Sequence, residues 1–309
     1  MPLINPTLGT IGVFTFALEQ LPAAQAAAAT AEIEGLGYGA VWIPEARGKE
    51  AFTHAALLLG GSDRIAVCTG VASIWGRDPM TAAAAMTTVG EAFPDRLVVG
   101  LGVSHRTLVE QVRGQSYTSP VRTMEAYLER LGSATYEAAR PAHAPPVVLA
   151  ALGPRMLRLA SRTAGAHTYF VPAEHTAQAR QLLGPEGLLA VEHAVVAESD
   201  PVRARQLART YTSRYLRLEN YRNNLVRLGW PEDELTDGGS DRLVDALVAW
   251  GDDNTIRDRV RAHLDAGADH VCIQVVREDR AELGLEELTA LAPILLRDEP
   301  GSERLQPRQ

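Results

Sequence analysis

Lysine is almost absent from this chain: Lys49 is the only one in 309 residues, and the formal charge is -8. Proteins that grip a nucleic-acid backbone display clustered Lys and Arg, so the acidic balance argues against a generic phosphate-backbone binder. Cysteine is scarce too. Cys68 and Cys272 each lie in an apolar, strand-like run, with no CxxC pair and no histidine at metal-ligand spacing. That excludes a disulfide scaffold and gives no metal site, leaving two buried free thiols. No apolar run reaches the roughly 18 residues of a membrane span, and the N-terminus lacks a basic segment followed by an apolar core and a cleavage site. The expectation is a cytoplasmic protein whose partner is a small molecule rather than nucleic acid or a membrane.

What is present is ample core material, 46% hydrophobic against 22% charged. Runs rich in Val and Ile occur at Thr10–Phe16, Ala40–Ile43, Ile65–Val71, Leu97–Leu101, Val147–Ala151, His167–Phe170, Leu188–Ala197 and His270–Val275. Between them lie Ala-rich segments of helical periodicity: Ala23–Leu36, Ala51–Leu59, Thr81–Ala92, Val121–Leu131, Met156–Thr163, Thr176–Leu183, Val202–Leu218, and Leu243–Trp250 with Thr255–Ala266. Such alternation implies parallel strands joined by crossover helices, and eight units close most economically into a (β/α)8 TIM barrel. A doubly wound open sheet is the rival. The length suits one barrel of about 250 residues with insertions. A single domain is therefore expected over residues 1–297, followed by a frayed tail, Asp298–Gln309, rich in Pro, Gly and charge. Two stretches break the rhythm: Arg106–Ser119 after the fourth strand and Glu219–Asp241 after the seventh. Long strand-to-helix connections of a barrel are where lids and specificity elements sit, although a surface excursion without function has the same sequence signature.

In a barrel the chemistry gathers where strands end and helices have yet to begin. That rule leaves Glu45, the segment Ser73 to Asp78, Ser104 with His105, and Gly153 to Met156. Gly153 permits a tight turn, Pro154 suits the first helical position, and the amides that follow lack intrahelical partners; with Arg155 this end would attract an anion. An ordinary strand-to-helix turn would read the same way. Gly100-Leu101-Gly102 opens like a dinucleotide fingerprint but lacks the third glycine, so close approach of the backbone to a flat ligand is the better use of Gly102. His105 follows at once, and imidazole titrates where a general acid or base works best. With Glu45 it forms the candidate catalytic pair. His167, His193 and His270 lie inside strands and read as core or lumen residues.

The order of these pieces resembles the luciferase-like superfamily, and within it the actinobacterial oxidoreductases that use the deazaflavin coenzyme F420. The resemblance runs through Leu36-Gly37-Tyr38-Gly39-Ala40-Val41-Trp42-Ile43-Pro44-Glu45, Ser73-Ile74-Trp75-Gly76-Arg77-Asp78-Pro79, Phe93-Pro94-Asp95-Arg96 continuing to His105, Leu149-Ala150-Ala151-Leu152-Gly153-Pro154 and Ala266-Gly267-Ala268-Asp269-His270-Val271. It implies a barrel with an insertion, usually a homodimer, that binds its flavin-like ring at the C-terminal ends of the strands. By position, Ser73-Ile74 would be the family's non-proline cis peptide behind the ring. Gly102, Val103 and Ser104 would lie along the ring and its side chain, while Ala151 and Gly153-Pro154-Arg155-Met156 would hold the cofactor phosphate. His105 stands where sugar-phosphate-oxidising relatives carry a catalytic Glu. After the second strand those relatives have an acidic residue followed by His, whereas here Glu45 is followed by Ala46, so their substrate does not transfer. The activity implied is hydride transfer between C5 of F420 and a small organic substrate. An FMN-dependent monooxygenase is the alternative, and a cofactor-binding member without turnover is the reading from outside enzymology.

Overall fold

The structure, a computed structural model, describes residues 8–297; the expected frayed tail lies outside the described residues. Ten parallel strands occur in chain order: β1 (Ile11–Phe14), β2 (Ala40–Ile43), β3 (Ala66–Thr69), β4 (Ala72–Ser73), β5 (Leu97–Gly102), β6 (Val147–Ala150), β7 (Gly165–Thr168), β8 (Leu188–Val196), β9 (Val248–Trp250) and β10 (His270–Val275). The sheet runs β10-β1-β2-β3-β5-β6-β7-β8, and β10 pairs in turn with β8, which closes eight strands into a barrel. The open-sheet rival is thereby excluded. β4 is a short extension beside β5, and β9 pairs with Ala194–Val196 of β8, past the stretch that pairs with β7.

Alternation along each strand divides the residues between two cores. Outward side chains such as Val41, Val67, Val99, Leu149 and Ile273 pack under the helices. Inward ones, among them Phe14, Trp42, Cys68, Val98, Val148 and Cys272, fill the lumen. Both cysteines are free and buried, as their apolar surroundings led one to expect. Gly12 is required by packing rather than by its backbone angles, because a Cβ there would lie 2.7 Å from His270 Nε2. That nitrogen accepts from the Trp42 indole at 3.0 Å, while Nδ1 faces the Gly9 carbonyl at 2.8 Å. Indole N–H only donates, so the His270 tautomer is fixed with its proton on Nδ1.

Helix boundaries carry local signals. Asp78 caps the helix Pro79–Ala92 by accepting from the amides of Met80 and Thr81, with proline in the first turn. Gly267, at φ +102, ends the helix that precedes β10. The departures are equally physical. Val248–Trp250 is a strand, not the end of a helix, because its β-branched and aromatic residues extend along β8. β7 begins two residues earlier than the apolar run suggests. The interruption after β8 is itself structured, with a helix at Glu219–Arg227 and a 3-10 turn at Glu232–Leu235. The stretch after β5 contains one π-helical turn, Leu108–Val112. A last helix, Leu285–Leu295, carries an internal Pro293 that masked its periodicity.

Candidate active site

One cavity with two arms opens at the C-terminal ends of the strands. The larger arm, of about 480 Å³, runs from Val71 and Gly102 past Ala151 to Gly153–Met156 and Arg227. The smaller, of about 160 Å³, is lined by Phe14, Phe16, Pro44, Leu108 and Tyr215 among others. They meet at Val71, Gly102, Ser104, His105 and His167, which border both.

The junction is built by glycine. The Gly70–Val71 peptide is cis, and the Val71 side chain lies over β5 so closely that a Cβ on Gly102 would come within 2.4 Å of it. Gly100 is constrained likewise, since a Cβ there would lie 2.0 Å from the Thr69 carbonyl oxygen. The cis bond is therefore not at Ser73-Ile74, as expected by position. β3 ends at Thr69, and Ser73 belongs to the extended segment β4 that pairs with Gly102. The Ile74 amide donates to the Gly102 carbonyl at 3.1 Å, and its side chain is 6% exposed within the core beneath the helices. Ile74 is thus a core residue that borders neither arm, which corrects its assignment to the cofactor site. Ser73 borders the smaller arm, Gly102 and Ser104 both, and Val103, Ala151, Gly153, Pro154, Arg155 and Met156 the larger. Ser104 has a left-handed φ of +57, turning the chain out of β5 toward His105.

His105 is half-buried. Its Nδ1 lies 3.0 Å from Asn220 Oδ1, and its ring centroid is 5.6 Å from that of Tyr221. Burial pulls its pKa below the usual 6.5, against the opposing pull of Asn220. At neutral pH the ring is uncharged; with Asn220 Oδ1 as acceptor, the proton is assigned to Nδ1 and Nε2 keeps its lone pair.

Glu45 does a different job from the one expected. Its carboxylate accepts from the amides of Ser73 (2.7 Å) and Ala51 (3.2 Å) and from both terminal nitrogens of Arg77. Arg77 also reaches the Ser73 carbonyl at 2.9 Å and Glu50 at 2.7 Å. With side chains 6% and 7% exposed, the pair is a buried clamp that ties β4 to the loop after β2. Every lone pair aimed at a donor is unavailable as a base, so Glu45 is a positioning residue here. Removing one partner strands the other's charge, which costs about 3–5 kcal/mol. Arg77→Met is expected to lose that much in a denaturant titration, and Arg77→Met with Glu45→Gln to recover part of it.

The residues that sequence reasoning missed arrive on the helix Glu219–Arg227. Asn220 and Tyr221 close the cavity over His105, and Arg227 approaches Gly153, where an added Cβ would lie 3.5 Å from Arg227 Nη2. Asn224 holds that guanidinium from one turn back at 2.9 Å. The spacing of Asn220, Asn224 and Arg227 on one helical face was the available signal. Tyr169, Tyr215 and His167 complete the walls. Among the described residues no cluster of metal-ligating side chains occurs, and no helix is long and apolar enough to cross a membrane.

Comparison with known proteins agrees with this architecture. A 99-residue stretch, 32% of this chain and 28% of the relative, is 30% identical to a Mycobacterium tuberculosis protein whose name places it among the coenzyme F420-dependent oxidoreductases. The matched part thus spans little more than a quarter of that relative. An F420-dependent secondary alcohol dehydrogenase in complex with an F420-acetone adduct superposes with a TM-score of 0.69 at 15% identity, covering 92% of this chain and 99% of the other. The oxygenating constituent of 3,6-diketocamphane monooxygenase from Pseudomonas putida, in complex with FMN, superposes at 0.68 and 14% identity, covering 97% and 100%. These structural likenesses establish the fold. Residues 10–270 match the family of luciferase-like monooxygenases, and the chain belongs to that family.

Proposed function

We propose that this protein is an F420-dependent oxidoreductase that transfers a hydride between C5 of the deazaflavin, held in the larger arm, and a small organic substrate in the smaller one. The observation that carries this is the shape of the cavity: a long arm ending at two guanidiniums meets a short apolar arm at a glycine-lined junction beside one imidazole. The residues fit the group. Gly102, pressed against Val71 with no room for a Cβ, presents bare backbone to the cavity, and Arg155 and Arg227 supply positive charge beside the turn at Gly153. The F420 name of the mycobacterial relative supports the choice of cofactor.

When bound, the deazaflavin supplies the hydride acceptor or donor. The chain does the rest. Arg155 and Arg227 would hold the phosphate, while Val71, Gly102 and Val103 would border the ring. The aromatic walls keep water from the junction. His105, uncharged with a free Nε2, takes the hydroxyl proton of a substrate that gives up a hydride; in the reverse direction its protonated form returns that proton.

Fluorescence titration with oxidised F420 and with FMN tests the reading, with tighter binding expected for F420. Reversed affinities would move the assignment to the FMN-dependent monooxygenases. Arg155→Ala and Arg227→Ala are each expected to weaken F420 binding about 10- to 100-fold, the worth of a charge-assisted hydrogen bond. A phosphate-free deazaflavin should bind all three proteins alike. An equal loss for both ligands would show that the arginines support the fold instead.

A further inference from the structure

The smaller arm is walled by rings in edge and tilted contact. Phe14 meets Phe16 at 5.4 Å and Tyr169 at 5.1 Å between centroids; Tyr215 lies 5.0 Å from Tyr169 and 5.4 Å from Tyr221. The hydroxyl of Tyr169 is committed to Gln274 at 2.7 Å and shares a 2.6 Å hydrogen bond with that of Tyr215, so both residues offer mainly ring surface. Glu45 carries the one carboxylate on the lining, and Arg77 neutralises it. No lining side chain supplies a free charge, and burial keeps His105 and His167 uncharged at neutral pH.

His167 adds ring surface to this wall. It is 3% exposed, stacks on Trp42 with centroids 4.4 Å apart and borders both arms, but its nitrogens expose no surface to the cavity and the Ala190 backbone is their hydrogen-bonding neighbour. Resting on the assignment of the larger arm to the cofactor, we propose that the smaller arm binds an uncharged, planar aromatic compound bearing one carbonyl or hydroxyl oxygen directed at His105 in the junction, with the tyrosine and phenylalanine rings as its stacking surface. An anion or cation would enter without a counter-charge, and the cost of stripping its water would go unanswered. Size agrees as well: an apolar cavity of about 150 Å³ in another protein admits benzene, and this arm is of similar volume, about 160 Å³. Ring faces favour a flat partner over a puckered one through offset and edge contacts.

Isothermal titration of the F420-saturated protein with acetophenone, benzoate and cyclohexyl methyl ketone separates these terms. Acetophenone is expected to bind at least about tenfold more tightly than either of the others. Tyr215→Leu, which removes one stacking ring, should lower acetophenone affinity about three- to tenfold and that of cyclohexyl methyl ketone by less. Benzoate binding as tightly as acetophenone, the cyclohexyl ketone matching it, or none of the three binding would each overturn the proposal. The wild-type ranking decides this even where the variant does not fold. If F420 fails to bind, the same titrations on apo protein retain the ranking when the substrate class is right and only the cofactor is wrong.

Discussion

Replacing His105 by alanine is expected to lower turnover about 10²- to 10⁴-fold, the usual contribution of a positioned general acid or base, while F420 affinity changes little. The position of the ring separates the two effects, because His105 borders both arms at their junction but lies away from the arginines at the far end. His105→Gln keeps a hydrogen-bonding group but cannot exchange a proton near neutrality, so it should be nearly as impaired. The pH profile carries the sharper test. Burial lowers the pKa of His105, and the uncharged form is the one that accepts a proton. In the direction of substrate oxidation, kcat/KM should therefore fall on an acid limb lying below pH 6.5, and that limb should vanish in both variants. Asn220→Ala, which frees Nδ1, should reduce kcat more than it raises KM, since Asn220 touches the imidazole at 3.0 Å and orients it. A glutamine variant retaining most of the activity would mean that His105 only orients the substrate.

The barrel was legible because its signal is carried by periodicity on strands buried on both faces, and runs such as Val41–Ile43 or Val271–Val275 cannot be read otherwise. The rim followed from topology, and Gly102, Ser104, His105 and Gly153 to Met156 line the cavity where the barrel rule puts them. What failed was register. β3 ends at Thr69 rather than Val71, the cis bond falls at Gly70–Val71 rather than at Ser73-Ile74, and Ile74, which follows β4, packs into the core beneath the helices. Glu45 was misread for another reason: proximity to the rim says nothing of partners, and Arg77, thirty-two residues on, consumes the carboxylate. Arg227 and Asn220 were hidden in a segment whose Asn, Gly and Pro content reads as loop, although Glu219–Arg227 buries Tyr221, Asn224 and Leu225 along one helical face.

Thermal stability is expected to peak near neutral pH and to fall by several kcal/mol by pH 5. His54, His167, His175, His193 and His263 are each 3% exposed or less. Burial depresses all five pKa values, to about 4 for His54 and about 3 for His167 and His263. His193 and His263 share a 3.1 Å hydrogen bond, and two protonated rings would both be donors there. The sign follows from linkage: between the depressed folded values and the unfolded value near 6.5, the unfolded chain binds more protons, so stability falls as pH falls. Each histidine that stays neutral when folded costs about 2 kcal/mol at pH 5. Two carboxyls work in the opposite sense. Burial raises Glu192 to about 8, where Tyr211 holds it at 3.0 Å, and Glu19 to about 7. For these the folded state binds more protons, so stability rises as pH drops from 8 toward 4.5. The four histidines lying well below 6.5, His54, His167, His193 and His263, against two carboxyls leave a net excess of two protons on the unfolded chain between pH 6.5 and 5, or about 3 kcal/mol per pH unit. Against a total stability of about 5–15 kcal/mol, that slope removes about 4 kcal/mol between pH 6.5 and 5 and lowers Tm without unfolding the protein at room temperature. Calorimetric Tm measured from pH 8 to 5 checks it, and His54→Leu should flatten the acid side by about one proton. A Tm unchanged between pH 7 and 5 would mean that the five imidazoles bind protons without unfolding the barrel.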